Sequence, residues 1–168
     1  MIFITVGTQL PFDRLLEYFS DWQKNAGYTG KVVAQVGIGS RFTSNQVEMV
    51  ETLTSEQYYQ WFSQAEGVVS HAGMGSILSC LDYGKRGVFL PRQYTLNEHR
   101  NDHQLDTATA FKEKYPTLTF CADKQAFFIA MDALIDAENN TVSPISPQLN
   151  DELGRNIADY LGFKGKLK

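Results

Sequence analysis

Gly67-Val68-Val69-Ser70-His71-Ala72-Gly73-Met74-Gly75-Ser76-Ile77-Leu78 is the stretch that decides how this chain folds. A β-branched run stops at Ser70, a glycine-punctuated turn follows, and a helix opens near Gly75 and Ser76. Strand, tight turn and helix in that order form the repeating step of an α/β sheet. Glycines let the backbone approach a ligand closely, and the first turn of a helix presents unpaired N–H groups carrying partial positive charge. Such a turn seats a phosphate.

The same alternation extends on both sides. Residues 2–6 read as a buried first strand. In residues 12–25, Phe12, Leu15, Leu16, Phe19 and Trp22 recur at helical spacing. Strands are predicted over residues 31–36 and 47–53, and Thr54-Ser55-Glu56-Gln57 forms a capping box opening a helix to Ala65. After the strand at 67–70 and the helix at 76–83 come a strand at 88–90 closed by Pro91 and a helix over 102–114. A last strand at 118–121 and a helix over 123–137, capped by Asp123, complete the pattern. The expected fold is therefore α/β: a Rossmann-like, mostly parallel sheet with helices on both faces. Residues 1–137 form this domain and 138–147 a Ser/Pro-rich linker. Residues 148–168 hold an amphipathic helix, striped by Leu149, Leu153, Ile157 and Leu161, and a basic tail.

At 168 residues, 43% hydrophobic and 20% charged, the composition is that of one ordinary globular domain. A net charge of −4 supplies no basic field, so nucleic acid is not an expected partner. The apolar start lacks a basic flank and is too short for an export signal. No run reaches the ~20 residues that cross a bilayer. Cys80 and Cys121 read as small buried residues in a reducing cytosol rather than as a disulfide. Asn139-Asn140-Thr141 matches a glycosylation sequon, which carries no meaning without export.

Ligands of such sheets sit beyond the carboxyl ends of the strands. That edge collects residues 7–11, 37–40, 71–76 and 92–104. Gly7-Thr8-Gln9 follows the first strand and either meets a diphosphate or makes a simple turn. Gly37-Ile38-Gly39 is followed by Phe42 where a dinucleotide fingerprint needs glycine, and no P-loop is present. All three histidines, His71, His99 and His103, fall on this edge. His99 and His103 are spaced like a metal pair with carboxylates nearby, yet no Cys or third His stands at ligand spacing, so sugar contacts or capping of the helix at Asp102 are the better readings. Asp13 either caps the first helix or points into the cleft. Tyr58, Tyr59, Trp61 and Phe62 read as helix packing rather than a base-stacking platform.

These blocks together resemble a family. Val6-Gly7-Thr8 with Pro11-Phe12-Asp13, residues 70–77, and Pro91-Arg92 with Glu98-His99-Arg100-Asn101-Asp102-His103-Gln104 are similar to the C-terminal, nucleotide-sugar-binding half of GT-B glycosyltransferases of the family 28 group. The resemblance covers residues 1–137 and is nearest to stand-alone catalytic subunits of split enzymes. These include bacterial exopolysaccharide and capsule transferase subunits of the PssE type, and their eukaryotic relative acting on dolichol diphosphate. It implies that residues 73–76 hold the donor diphosphate, with Gly7, Thr8 and Gln9 facing them. His103 and Gln104 reach the sugar hydroxyls, and His71, Gly73, Met74, Gly75, Ser76, Arg92, Glu98, His99 and Asp102 complete the nucleotide-sugar site. Many members carry glutamate where Ser79 stands and asparagine near Thr107, which leaves ribose recognition here to Glu98 or Asp82.

The resemblance further implies an inverting transfer from a UDP-sugar to a lipid-linked saccharide, without metal or separate cofactor. His71 is the candidate base, Asp13 a further one, and a partner side chain a third. The acceptor half would come from a membrane-associated partner subunit that recruits this cytoplasmic chain to the cytosolic membrane face. The helix at 148–168 would dock there, cover the domain's own sheet, or pair with a second copy. Deleting it is expected to abolish partner binding and spare donor binding. Three other readings stand beside this one: a non-catalytic accessory subunit activating a partner transferase, a UDP-sugar epimerase or nucleotide-binding regulator, and a flavodoxin-like domain.

Overall fold

A computed structural model describes residues 1–139. Its elements run β1 (Ile2–Thr5), α1 (Asp13–Ala26), β2 (Val32–Gln35), β3 (Glu48–Val50), α2 (Ser55–Gln64), β4 (Gly67–His71), α3 (Met74–Asp82), β5 (Arg86–Leu90), a 3-10 turn (Tyr94–Leu96), α4 (His103–Lys112), β6 (Leu118–Phe120) and α5 (Lys124–Asn139). The six strands form one sheet in the order β3-β2-β1-β4-β5-β6. Every adjacent pair is parallel. The strand order reverses between β1 and β4, and a crevice opens at such a switch point beyond the strands' carboxyl ends.

The period of two along each strand sorts the core into two layers. Ile2, Ile4, Val69, Val88 and Leu90 face α1 and α5, where Leu15, Phe19, Trp22, Phe127 and Met131 meet them. Phe3, Val68 and Phe89 face the other way, onto Phe62, Ile77, Leu81 and Phe111 of α2, α3 and α4. Phe3 receives Tyr58, Trp61 and Phe62 edge-on, with ring centroids 5.8, 5.9 and 6.0 Å away. Trp22 donates its indole N–H to Asp132 at 2.8 Å, joining α1 to α5. The free cysteines are buried in opposite layers. Burial raises both thiol pKa values, which keeps the sulfurs protonated and unreactive.

Within residues 1–139 the predicted elements are present, with shifted ends. The strand expected over 47–53 shortens to Glu48–Val50, because at the sheet edge it pairs only with residues 33–35 of β2. The helix expected from residue 76 begins at Met74, so Gly75 is its second residue rather than part of the turn. Asp123 caps α5 by accepting from the Ala126 N–H at 2.8 Å. That helix runs on to Asn139, past the expected linker start at 138. The rest of the linker and the helix and basic tail expected over 148–168 lie outside the described residues. Among the described residues no helix is long and apolar enough to cross a membrane.

The capping box at α2 forms as read. Thr54 Oγ1 accepts from the Gln57 N–H at 3.2 Å and Gln57 Oε1 from the Thr54 N–H at 3.0 Å. Thr54→Ala removes one of these bonds and is expected to cost about 1 kcal/mol in urea unfolding. An unchanged midpoint would mean the cap contributes nothing.

Candidate functional site

α2, α3 and α4 all begin at the carboxyl edge of the sheet, on the same face. Their N-termini and the β1–α1 loop enclose a cavity of about 580 Å³. That is in the range of pockets that bury a nucleotide-sized ligand. Thr54 and Ser55 come from the start of α2, residues 73–76 from α3, and His103 and Gln104 from α4, with Gly7, Thr8 and Gln9 opposite. Among the described residues the lining contains Arg92 and three histidines but no carboxylate. An anion is the ligand such walls favour.

The start of α3 is the strongest anion seat. Gly73 occupies the cap position, and no side chain caps the helix. The first helical bond runs from Ile77 N–H to Gly73 C=O at 3.2 Å, so the amides of Met74, Gly75 and Ser76 precede it. Gly73 is fixed by its own N–H donating to His71 C=O at 2.8 Å. These orphan donors and the helix dipole point at one place, as a diphosphate requires.

His71 stands between the two glycine turns. A Cβ on Gly7 would lie 2.8 Å from its Cε1, and one on Gly73 only 2.2 Å from its Nε2. Gly7 also has φ +80°, where other residues are strained. Both glycines are therefore required by the imidazole between them. Its Nδ1 lies 3.2 Å from Ser70 Oγ, while that hydroxyl is 2.8 Å from Thr5 C=O. With the Ser70 proton on the carbonyl, Nδ1–H donates to Oγ and Nε2 keeps its lone pair. Desolvation first, then the charge of Arg92, lower the His71 pKa to about 4; the Thr5 backbone opposes them, and the charge of His99 adds a smaller lowering. The ring is neutral at pH 7.

This has a consequence for stability. The folded pKa lies below the unfolded value of 6.5, so the unfolded chain binds more protons between pH 6.5 and 4. Stability conferred by the neutral ring is present above that window and lost as pH falls through it, by up to roughly 3 kcal/mol. Urea midpoints at pH 7.5 and 5, compared with those of His71→Asn, measure it. The asparagine variant is expected to lose this part of the pH dependence, and an identical slope would contradict it.

Thr8, Gln9, Met74, Gly75, Ser76, His99, His103 and Gln104 line the cavity as expected. His99 lies before α4, with Nδ1 3.1 Å from Asn101 Oδ1. His103 opens the helix and is largely exposed, 3.8 Å from Asp106. Gln104 accepts from the Arg92 N–H at 3.0 Å, which leaves its NH₂ to donate to a ligand. Among the described residues no three His, Cys, Asp or Glu side chains gather to hold a metal.

Five expectations are corrected. Arg92 borders the cavity but is 3% exposed. Its guanidinium is spent on the carbonyls of Val6, Leu10, Pro11 and Glu98, at 2.7 to 3.3 Å. Glu98 forms a fork with Arg14 at 2.6 and 2.7 Å and does not line the cavity. Asp102 accepts from the Tyr94 N–H at 2.9 Å and makes no side-chain cap for α4. Asp13 accepts from Ser40 Oγ and the Arg41 N–H, so it braces the β2–β3 loop and does not line the cavity. Asp82 ends α3, away from the cavity.

Ser79 and Thr107 line the cavity themselves, where the sequence suggested only departures from a pattern. Tyr58 and Tyr59 do so too. Tyr58 packs on the core and sends its hydroxyl to Ser79 and Ser76, whereas Tyr59 is 49% exposed and stacks on Tyr83 at 6.1 Å. Adjacent aromatic residues lie about 100° apart around a helix, which was the available sign that both could not face the core.

The model of the family described as "Glycosyltransferase family 28 C-terminal domain" matches residues 1–118. The UDP-N-acetylglucosamine transferase subunit ALG13 of Yarrowia lipolytica is 27% identical over 143 residues, 78% of this chain and 70% of that one. The solution structure of ALG13 superposes with a TM-score of 0.56 at 16% identity, covering 92% of this chain and 93% of that one. MurG of Acinetobacter baumannii superposes at 0.59 with 16% identity over 81% of this chain, which spans only 41% of that structure.

Proposed function

Because this chain belongs to the glycosyltransferase family 28 C-terminal domain family, with the fold of the C-terminal half of a GT-B glycosyltransferase, we propose that it is the donor-binding catalytic subunit of a two-component transferase. The donor is a UDP-sugar and the acceptor a lipid-linked saccharide of exopolysaccharide or capsule synthesis. A membrane-associated partner chain supplies the acceptor half and brings this one to the cytosolic membrane face. One observation carries the reading: the uncapped start of α3 and the Gly7–Thr8 turn converge on one cavity around a neutral histidine.

The chemistry follows from that arrangement. The diphosphate sits against the amides of Met74, Gly75 and Ser76, with Thr8 opposite. His99, His103 and the Gln104 amide reach the hexose, and Tyr58 and Tyr59 flank the nucleoside. An acceptor hydroxyl attacks the anomeric carbon from the open side, its C–O bond forms as the bond to diphosphate breaks, and configuration inverts. Negative charge grows on the leaving UDP, where the helix amides stabilise it without a metal. The hydroxyl proton passes to His71 Nε2. Free His71 is too weak a base for this, but a bound diphosphate favours its protonated form and raises its pKa toward the working range.

Co-expression with the products of adjacent genes, followed by a UDP-release assay over UDP-glucose, UDP-galactose, UDP-N-acetylglucosamine and UDP-glucuronic acid, tests this. Release with one donor, only when both chains are present, is the expected result. A partner that turns over alone while this chain binds no UDP-sugar would replace the reading with that of an accessory subunit.

A further inference from the structure

Arg92 lies within the carbonyl groups of two separate loops. Its Nη2 donates to Val6 C=O at 2.9 Å and Leu10 C=O at 2.7 Å, and its Nη1 to Pro11 C=O at 2.8 Å and Glu98 C=O at 3.3 Å. Its own N–H holds Gln104 Oε1 at 3.0 Å. The guanidinium stacks over Phe12, 4.5 Å from the ring centroid. Arg14 lies 5.2 Å from the same ring and clasps Glu98, whose second oxygen also accepts from the Gln93 N–H at 2.9 Å. Three of these carbonyls flank Gly7, Thr8 and Gln9, and the fourth begins the segment that carries His99, His103 and Gln104.

We propose that Arg92 is the positioning residue of this site: its fork locks the β1–α1 loop to the segment before α4 and so sets the spacing between the two walls that grip the donor. The inference rests on the donor-binding reading given above. Only a planar guanidinium can serve four carbonyls from one plane; an ammonium has three donors in a different geometry. The position has a second effect. Val6 C=O precedes Gly7, which lies against His71, so the lock fixes both the ring and the distance of the charge from it. The ionisable neighbours acting on His71 are Arg92 and His99; the β1–α1 loop and the start of α3 present it only glycines and uncharged side chains.

Arg92→Lys and Arg92→Met separate fork from charge. With folding checked by circular dichroism, Arg92→Lys is expected to lose about tenfold or more in UDP-sugar affinity while His71 still titrates near 4 by NMR. In Arg92→Met the His71 titration moves up by about one pH unit. A folded Arg92→Lys protein with wild-type affinity overturns the proposal, and so does Arg92→Met with an unmoved His71. Should the lysine variant not fold, Phe12→Leu removes the ring beneath the guanidinium without touching the cavity, and severalfold weaker binding is expected; unchanged binding overturns the proposal. The NMR titration needs no ligand. A wild type without UDP-sugar affinity would therefore end the functional reading, and Arg92 would still be judged by His71.

Discussion

Gly75→Ala should melt no lower than the wild type and yet lose roughly 100-fold in affinity for uridine nucleotides. Gly75 is not at positive φ, and a Cβ there would meet nothing within 4 Å. Nothing in the fold calls for glycine. As the second residue of α3, alanine is the better helix former, worth a few tenths to about 1 kcal/mol. The methyl group would instead stand in the cavity, in front of the amides at the helix start. Holding a diphosphate one methyl radius away breaks one or two charge-assisted hydrogen bonds, each worth about 1.5–3 kcal/mol. Thermal melting and nucleotide titration of the same preparation read both halves. Gly73→Ala is a poorer probe, because its methyl collides with His71 at 2.2 Å. Wild-type affinity in a folded Gly75→Ala protein would move the phosphate elsewhere.

His71→Ala should lower turnover of the assembled transferase by about 10²–10⁴-fold, the usual contribution of a general base. Donor affinity should change far less, since the amides of α3 remain. The pH dependence adds a sharper mark. The free protein holds His71 near pKa 4 by burial and the Arg92 charge, so the acid limb of kcat/KM lies low. Bound diphosphate raises the ring's pKa, so the acid limb of kcat lies higher. A sugar diphosphate has no proton titrating near neutrality, so any proton taken up on binding belongs to the protein. By linkage, UDP-sugar affinity then rises as pH falls from 8 toward 5. Full turnover by the alanine variant would assign the base to the partner chain.

Much of this was legible because local rules agreed with one another. The alternation Ile2-Phe3-Ile4 between β-branched and aromatic residues is what sorts β1 between two helical layers, and the Thr54–Gln57 box marks α2 to the residue. The glycines around His71 were legible for the same reason, since a turn that spaces glycines around a strand end implies close approach. What escaped was the aim of long charged side chains. Arg92 and Glu98 sit in the right segment, yet the former turns inward to the β1–α1 carbonyls and the latter to Arg14, across 84 residues of sequence. Asp13 reads as a helix cap or a cleft residue, and only its bonds to Ser40 and Arg41 of the β2–β3 loop show that it is neither. The contribution of α2 to the cavity depends on a crossover from edge strand β3 past β1 to β4, which no local pattern encodes.

Calorimetric titration of the folded chain with a UDP-sugar reaches the central claim most directly. One site per chain, with heat that changes with the ionisation enthalpy of the buffer as His71 takes up a proton, is the result expected at pH 6 to 7. No heat and no displacement by UDP at millimolar ligand, alone or with the partner chain, would contradict it.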